Sequence, residues 1–252
     1  MTTTTRSTAR AALSAGAVAV ALALATAGCG GLDLDAKEIH ATRSFPAAGA
    51  DLKIVSSLGG VRVLPGTAGA VQVERWVRGK AADEGNATWS LNDGVLRLGA
   101  DCGVVFGDCG ARYHVKVPPG VHVSVEAPDG VILKDLAQDV DAVSRERIEV
   151  SGASGRLRLR SDGPITGTGL RSAAVRCRTQ DGSIDLAFAT APADLDLQST
   201  DGRVTATVPK GAYRVTARSQ DGSVTSAVKD DPRAAATIVA RSGTGDVRVR
   251  AR

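Results

Sequence analysis

Leu159-Arg160-Ser161-Asp162-Gly163, Cys177-Arg178-Thr179-Gln180-Asp181-Gly182, Leu197-Gln198-Ser199-Thr200-Asp201-Gly202, Ala217-Arg218-Ser219-Gln220-Asp221-Gly222 and Ala240-Arg241-Ser242-Gly243-Thr244-Gly245 are five copies of one pattern. Their turn glycines, Gly163, Gly182, Gly202, Gly222 and Gly245, recur about every twenty residues, and each is followed one residue on by Ile165, Ile184, Val204, Val224 or Val247. Apolar and polar residues alternate on both sides of each turn, as in Arg156-Leu157-Arg158-Leu159-Arg160 and Asp194-Leu195-Asp196-Leu197-Gln198. A period of two is that of a strand with one buried and one wet face. Each unit therefore holds two short strands and two turns, too little to bury an apolar face alone. Stacked units share a continuous core. The expected fold is an all-β, single-domain β-solenoid (β-helix-like), with its coils stacked in chain order to the C-terminus.

The phase of the alternation assigns each column. Leu159, Cys177, Leu197, Ala217 and Ala240 point inward, as do Ser161, Thr179, Ser199, Ser219 and Ser242, while Arg160, Arg178, Gln198, Arg218 and Arg241 between them point out. The hydroxyl column lies just inside the corner, where Ser and Thr bond the backbone groups that a turn frees. The glycines are expected in left-handed turns, where a Cβ costs about 1–2 kcal/mol. Fainter copies lie upstream at Ser57-Leu58-Gly59-Gly60-Val61 and Pro128-Asp129-Gly130-Val131. Residues 39–126 are β-like but less regular and read as the thicker end of the same body. They include a hairpin-type turn at Asn92-Asp93-Gly94 and hold both Trp76 and Trp89.

Ahead of this body, residues 1–10 carry Arg6 and Arg10 without an acidic residue, and residues 11–25 are apolar. Fifteen residues fall short of the ~20 of a membrane span and match the short core of a secretory signal. Ala27-Gly28-Cys29 closes the segment and resembles the lipobox of bacterial lipoproteins, which implies a diacylglycerol on the Cys29 thiol, a signal peptide over 1–28 and a lipidated tether over 29–38. Thr26 departs from the commoner Leu of that motif. The alternative is an ordinary cleaved signal. Without a second apolar run, the lipid is the anchor that holds the protein outside the cytoplasm at the cell membrane.

The serial S-x-D-G-x-V turns, the cysteine pair before Tyr113-His114-Val115-Lys116-Val117-Pro118 and the lipobox together resemble the bacterial putative-adhesin family (DUF4097-like) over residues 39–252. The resemblance implies a β-solenoid that is secreted or lipid-anchored and binds at a surface. It brings no catalytic residues with it.

Few side chains suggest chemistry. Cys102 and Cys109 enclose a short loop with two glycines, Gly103 and Gly107, and export would place them in an oxidising compartment, so they are expected to form a disulfide. The rival is a metal site with His114, which lacks a clear fourth ligand. Cys177 shares its column with Leu159 and Leu197, the setting of an inert buried thiol. Asp162, Asp181, Asp201 and Asp221 would stack ~4.8 Å apart and repel by about 1 kcal/mol per pair in water. They could bind a cation, act as acid and base on a glycan, or simply be turn residues neutralised by the neighbouring Arg column. Lys and Arg number 31 against 27 Asp and Glu and are interspersed with them, which leaves no nucleic-acid footprint. No metal or cofactor is expected. The function expected is non-enzymatic binding or adhesion to a cell-wall polymer, a glycan or an envelope protein. The alternative is a polysaccharide lyase or hydrolase on a β-helix scaffold, which would need clustered carboxylates and aromatic sugar platforms. In the repeat half only Phe188 and Tyr213 are aromatic, both at inward parity.

Overall fold

The computed structural model describes residues 38–47, 49–103 and 108–252. The signal peptide, Cys29 and the tether up to residue 37 lie outside them. In chain order the strands are β1 (Ile39–Pro46), β2 (Asp51–Ser56), β3 (Gly60–Pro65), β4 (Ala70–Gly79), β5 (Ala87–Asn92), β6 (Val95–Ala100) and β7 (Cys109–Val117). Next come β8 (His122–Ala127), β9 (Val131–Lys134), β10 (Val140–Ser144), β11 (Ile148–Ser151), β12 (Leu157–Ser161), β13 (Ile165–Leu170) and β14 (Ala174–Thr179). The last are β15 (Ile184–Phe188), β16 (Asp194–Ser199), β17 (Val204–Val208), β18 (Arg214–Ser219), β19 (Val224–Ser226), β20 (Thr237–Ser242) and β21 (Val247–Ala251). Among the described residues no helix is long and apolar enough to cross a membrane.

Each coil of the chain gives one strand to each of two sheets. The first sheet has eleven strands, in the order β1-β4-β7-β3-β9-β11-β13-β15-β17-β21-β19, and the second has ten, in the order β18-β20-β16-β14-β12-β10-β8-β2-β6-β5. From β8 to β21 every pairing is parallel and, apart from a register shift between Gly167 and Leu170 where β13 meets β15, in register, column on column: Leu157 lies on Val175, Val175 on Leu195 and Leu195 on Ile238. The inner faces of the sheets meet in one core. Leu157, Ile165, Cys177, Ile184, Leu186, Leu197 and Val204 are fully enclosed, and Phe188 and Tyr213 are buried with them. This is the β-solenoid-like fold that the alternation predicts.

Coil order departs from chain order at both ends. Strand β20 pairs with β16 on one side and β18 on the other, and β21 likewise separates β17 from β19. The last coil is thus inserted beneath the one before it, and the expectation of coils stacked in chain order to the C-terminus fails here. Composition gives the reason. Ile238, Ala240, Val247 and Val249 of the inserted coil are shielded from solvent on both sides. The displaced coil has Val215 where the inserted one has Ile238, and Ser226 where it has Val249. The more apolar coil takes the position that covers more of it. At the other end the first coil, β2 and β3, packs between β8–β9 and β6–β7.

The N-terminal end also contains the antiparallel pairings. Strand β1 pairs with β4, β4 with β7, and β5 with β6. The turn between β5 and β6 is the hairpin expected at Asn92-Asp93-Gly94, with Asp93 and Gly94 both at positive φ (49° and 72°). Antiparallel strands close an end that a further parallel coil would leave open.

Candidate functional site

The turns between the sheets carry the repeat's signature residues. None of Gly163, Gly182, Gly202, Gly222 and Gly245 has a left-handed φ, so the expectation of left-handed turns at these positions is wrong. Among the copies of the pattern, positive φ occurs instead in the fainter upstream ones, at Gly59 and Gly130 (90° and 101°). What the repeat requires is close approach. A Cβ on Gly202 would lie 1.9 Å from the carbonyl oxygen of Gly182, and one on Gly182 would lie 2.2 Å from the carbonyl carbon of Gly163. The five turns stack backbone on backbone.

The inward hydroxyls hold this stack. The Ser199 hydroxyl accepts the Gly202 N–H at 2.7 Å and donates to the Gly182 carbonyl at 2.8 Å. Ser242 accepts from Gly245 (2.9 Å) and donates to Gly202 (2.8 Å), while Ser219 accepts from Gly222 (2.9 Å) and donates to Gly245 (2.8 Å). Thr179 spans Gly182 and Gly163 in the same way. Each hydroxyl thus ties its own turn to the coil beneath, and the chain of bonds follows the spatial order of the coils, with Gly245 between Gly202 and Gly222.

The same insertion breaks the carboxylate ladder. Asp162, Asp181 and Asp201 lie on neighbouring turns, but the turn of the inserted coil, Gly243-Thr244-Gly245, stands between Asp201 and Asp221. All four are exposed, and none forms an ion pair among the described residues. Nor do three His, Cys, Asp or Glu side chains there converge as a metal would need. The Arg column does not neutralise this ladder. Its ion pairs run to a different residue.

On the outer face of the ten-stranded sheet, Arg160, Arg178, Gln198, Arg241 and Arg218 form one row across β12, β14, β16, β20 and β18. The adjacent row is Asp141, Arg158, Arg176, Asp196, Val239 and Thr216. Three guanidiniums share one carboxylate. Arg178 bonds Asp196 directly, the Nε of Arg176 lies 3.4 Å from it, and the Nη1 of Arg241 lies 3.8 Å away. Arg158 reaches Asp141 at 3.9 Å. Arg160 and Arg218 have no carboxylate or hydrogen-bond partner among the described residues. Six arginines therefore face two carboxylates on strands spaced ~4.8 Å apart. Guanidiniums so close repel one another, and a bound anion relieves this.

Cys102 and Cys109 are bonded to each other, with Cα atoms 5.9 Å apart, so no metal site with His114 forms from them. Cys177 is fully buried, and burial drives its thiol pKa well above the ordinary range. It is an unreactive part of the core. Phe188 and Tyr213 are interior (0% and 1% exposed), so neither can serve as a sugar platform. The row of in-register arginines is invisible in any one repeat. The outward column was legible, but not that Arg160 and Arg218 in it stay unpaired among the described residues while Arg178 and Arg241 share Asp196.

Comparison with known proteins points the same way on fold. Residues 137–252 match the family model described as Toastrack DUF4097. No curated protein matches the chain. A crystal structure of a putative adhesin from Bacteroides fragilis is 14% identical, over 84% of this chain and 97% of that one, with a TM-score of 0.55. A putative adhesin from Parabacteroides distasonis is 13% identical, over 85% and 98%, with a TM-score of 0.42. A putative cell adhesion protein from Clostridium sporogenes is 9% identical, over 86% and 100%, with a TM-score of 0.40.

Proposed function

We propose that this chain, whose residues 137–252 match the Toastrack DUF4097 family model, is a non-enzymatic binding protein of the bacterial cell surface that holds an acidic polymer of the envelope. The observation that carries the reading is the pair of rows on the ten-stranded sheet, six arginines against Asp141 and Asp196. A linear polyanion laid across the strands meets a guanidinium at almost every strand. Arg suits this task because its planar fork bonds carboxylate and phosphate oxygens in pairs. The adhesion role named for proteins of similar fold supports surface binding. Export and a lipid on Cys29 would keep this face outside the cell, tethered close to the wall.

Co-sedimentation of the mature protein with isolated cell walls tests the reading. The expected result is retention that high salt abolishes, since exposed ion pairs are screened, and that is lost when the walls are stripped of acidic polymers. Replacing Arg160, Arg218 and Arg241 together by Gln should abolish retention without lowering the melting temperature. Retention that ignores salt, or that survives the triple replacement, would overturn it.

A further inference from the structure

The opposite face, on the eleven-stranded sheet, has a second basic feature of a different kind. Across β1, β4 and β7, His40, Trp76 and Arg112 stand in one row. His40 stacks on the Trp76 indole at 4.5 Å, and the Arg112 guanidinium lies 4.7 Å from the indole centroid. The Glu38 carboxylate also bonds Arg112, at 2.9 Å. Arg112 is thus held by an ion pair and by its guanidinium lying against an aromatic ring.

Beyond Arg112 the row has no side chains. Its partner on β3 is Gly60, and the next position, just before β9, is Gly130. Two adjacent strands therefore leave a notch two strands wide, of about 340 Å³, over their bare backbone. Gly60 cannot be larger, because a Cβ there would lie 2.9 Å from the Asp129 carbonyl oxygen. The far wall is Arg147, which also pairs with Glu149 at 2.9 Å. Arg62, His114 and Ile132 close the end. Arg62 has no ion pair or hydrogen bond among the described residues. The one lining carboxylate, Asp129, accepts the Gly59 N–H at 2.6 Å, so it is already engaged.

We infer that this notch binds a small acidic molecule, a carboxylate or phosphate group carried on a monosaccharide-sized body, between Arg112 and Arg147 with Arg62 as its principal cation. The notch has room for a sugar ring, and Ile132 offers that ring an apolar contact beside the bare backbone. The electrostatics agree with this. His114 titrates below its ordinary range, first because it is partly buried and then because of Arg62, with Arg112 and Lys116 adding to the effect and Glu74 opposing it. The site needs nothing from the arginine rows of the other sheet, so the two proposals stand or fall separately.

Calorimetric titration of the mature protein at low salt, with glucuronate, glucose 6-phosphate and glucose as probes, tests the inference. At least one of the two acids should bind and glucose should not. Which acid binds identifies the carboxylate or the phosphate as the recognised group. Arg62→Gln and Arg147→Gln should each weaken binding about tenfold, as loss of a charge-assisted hydrogen bond does, with unchanged thermal melts. Arg233→Gln, exposed and outside both the notch and the arginine rows, should have no effect. Binding of glucose as tight as that of the acids, absence of binding by either acid, or equal effects of Arg62→Gln and Arg233→Gln would overturn the assignment.

Discussion

Replacing Gly202 by Ala tests the stacking of the turns directly. The added Cβ would sit 1.9 Å from the Gly182 carbonyl oxygen, 2.3 Å from its carbon and 2.7 Å from the Ser183 nitrogen. All three are backbone atoms, so no side chain can swing aside, and the coils must part by more than an ångström. That separation pulls on the Ser199 hydroxyl, which spans the two turns at 2.7 and 2.8 Å, and on the Asp201 N–H bond to the Gln180 carbonyl at 2.9 Å. Overpacking costs about 1–3 kcal/mol, and each weakened bond adds about 0.5–1.5 kcal/mol. The total is about 3–7 kcal/mol, or roughly 10–20 °C in melting temperature for a domain of this size. Thermal melts of the mature protein followed by circular dichroism measure it, with exposed Arg203→Ala as the control, expected within about 0.5 kcal/mol of the parent. Gly202→Asn separates the two possible causes. A left-handed site tolerates Asn better than Ala, whereas a site of close contact tolerates it no better. Melting of Gly202→Ala like the parent, or a clear advantage of Asn over Ala, would refute the contact argument.

Ser199→Ala leaves the Gly202 N–H and the Gly182 carbonyl without their partner and should cost about 1–3 kcal/mol in the same melts. The outward neighbour Gln198→Ala should cost far less. Peptide mapping of the secreted protein without reductant should find Cys102 linked to Cys109 and Cys177 slow to alkylate, and free thiols at both 102 and 109 would contradict the loop geometry. Cys29→Ala should release the protein from the membrane fraction and abolish fatty-acid labelling, and retention of both would exclude a lipid anchor on that residue. The His114 resonance should titrate below the usual 6.5, because burial and then Arg62 disfavour its charged form. Since the unfolded chain takes up this proton first, the stability linked to His114 is complete above pH 6.5 and falls as the pH drops towards the folded value. A His114 midpoint at or above 6.5 in an NMR titration would contradict the packing on that face.

Much of the fold is local and could therefore be read in one dimension. Alternation at period two assigned Leu159, Cys177 and Leu197 to the interior and Arg160 and Arg178 to solvent, because neighbouring strand residues point to opposite faces whatever surrounds them. The inward hydroxyls were legible too, since Ser199 and Gly202 are three residues apart and their bond is part of the turn. The hairpin at Asp93-Gly94 depends only on backbone torsions that few residues adopt.

What escaped the sequence depends on contacts between distant residues. Strands β18 and β20 present the same columns to β16, Ala217 and Ala240 each suited to lie on Leu197, so pairing rules alone do not choose between them. Burial of Ile238, Val247 and Val249 chooses, and it is a property of the assembled stack. The order so chosen separates Asp221 from Asp201 and brings Arg241 next to Asp196, 45 residues away in the chain. The glycines of the turns looked like torsional necessities, yet the constraint is a carbonyl on the coil beneath. The notch at Gly60 and Gly130 likewise exists only because parallel pairing sets two missing side chains side by side, between arginines 35 residues apart. Sequence determined which face each residue takes, through the geometry of single strands, and tertiary structure decided which residues are neighbours, through the burial of whole coils.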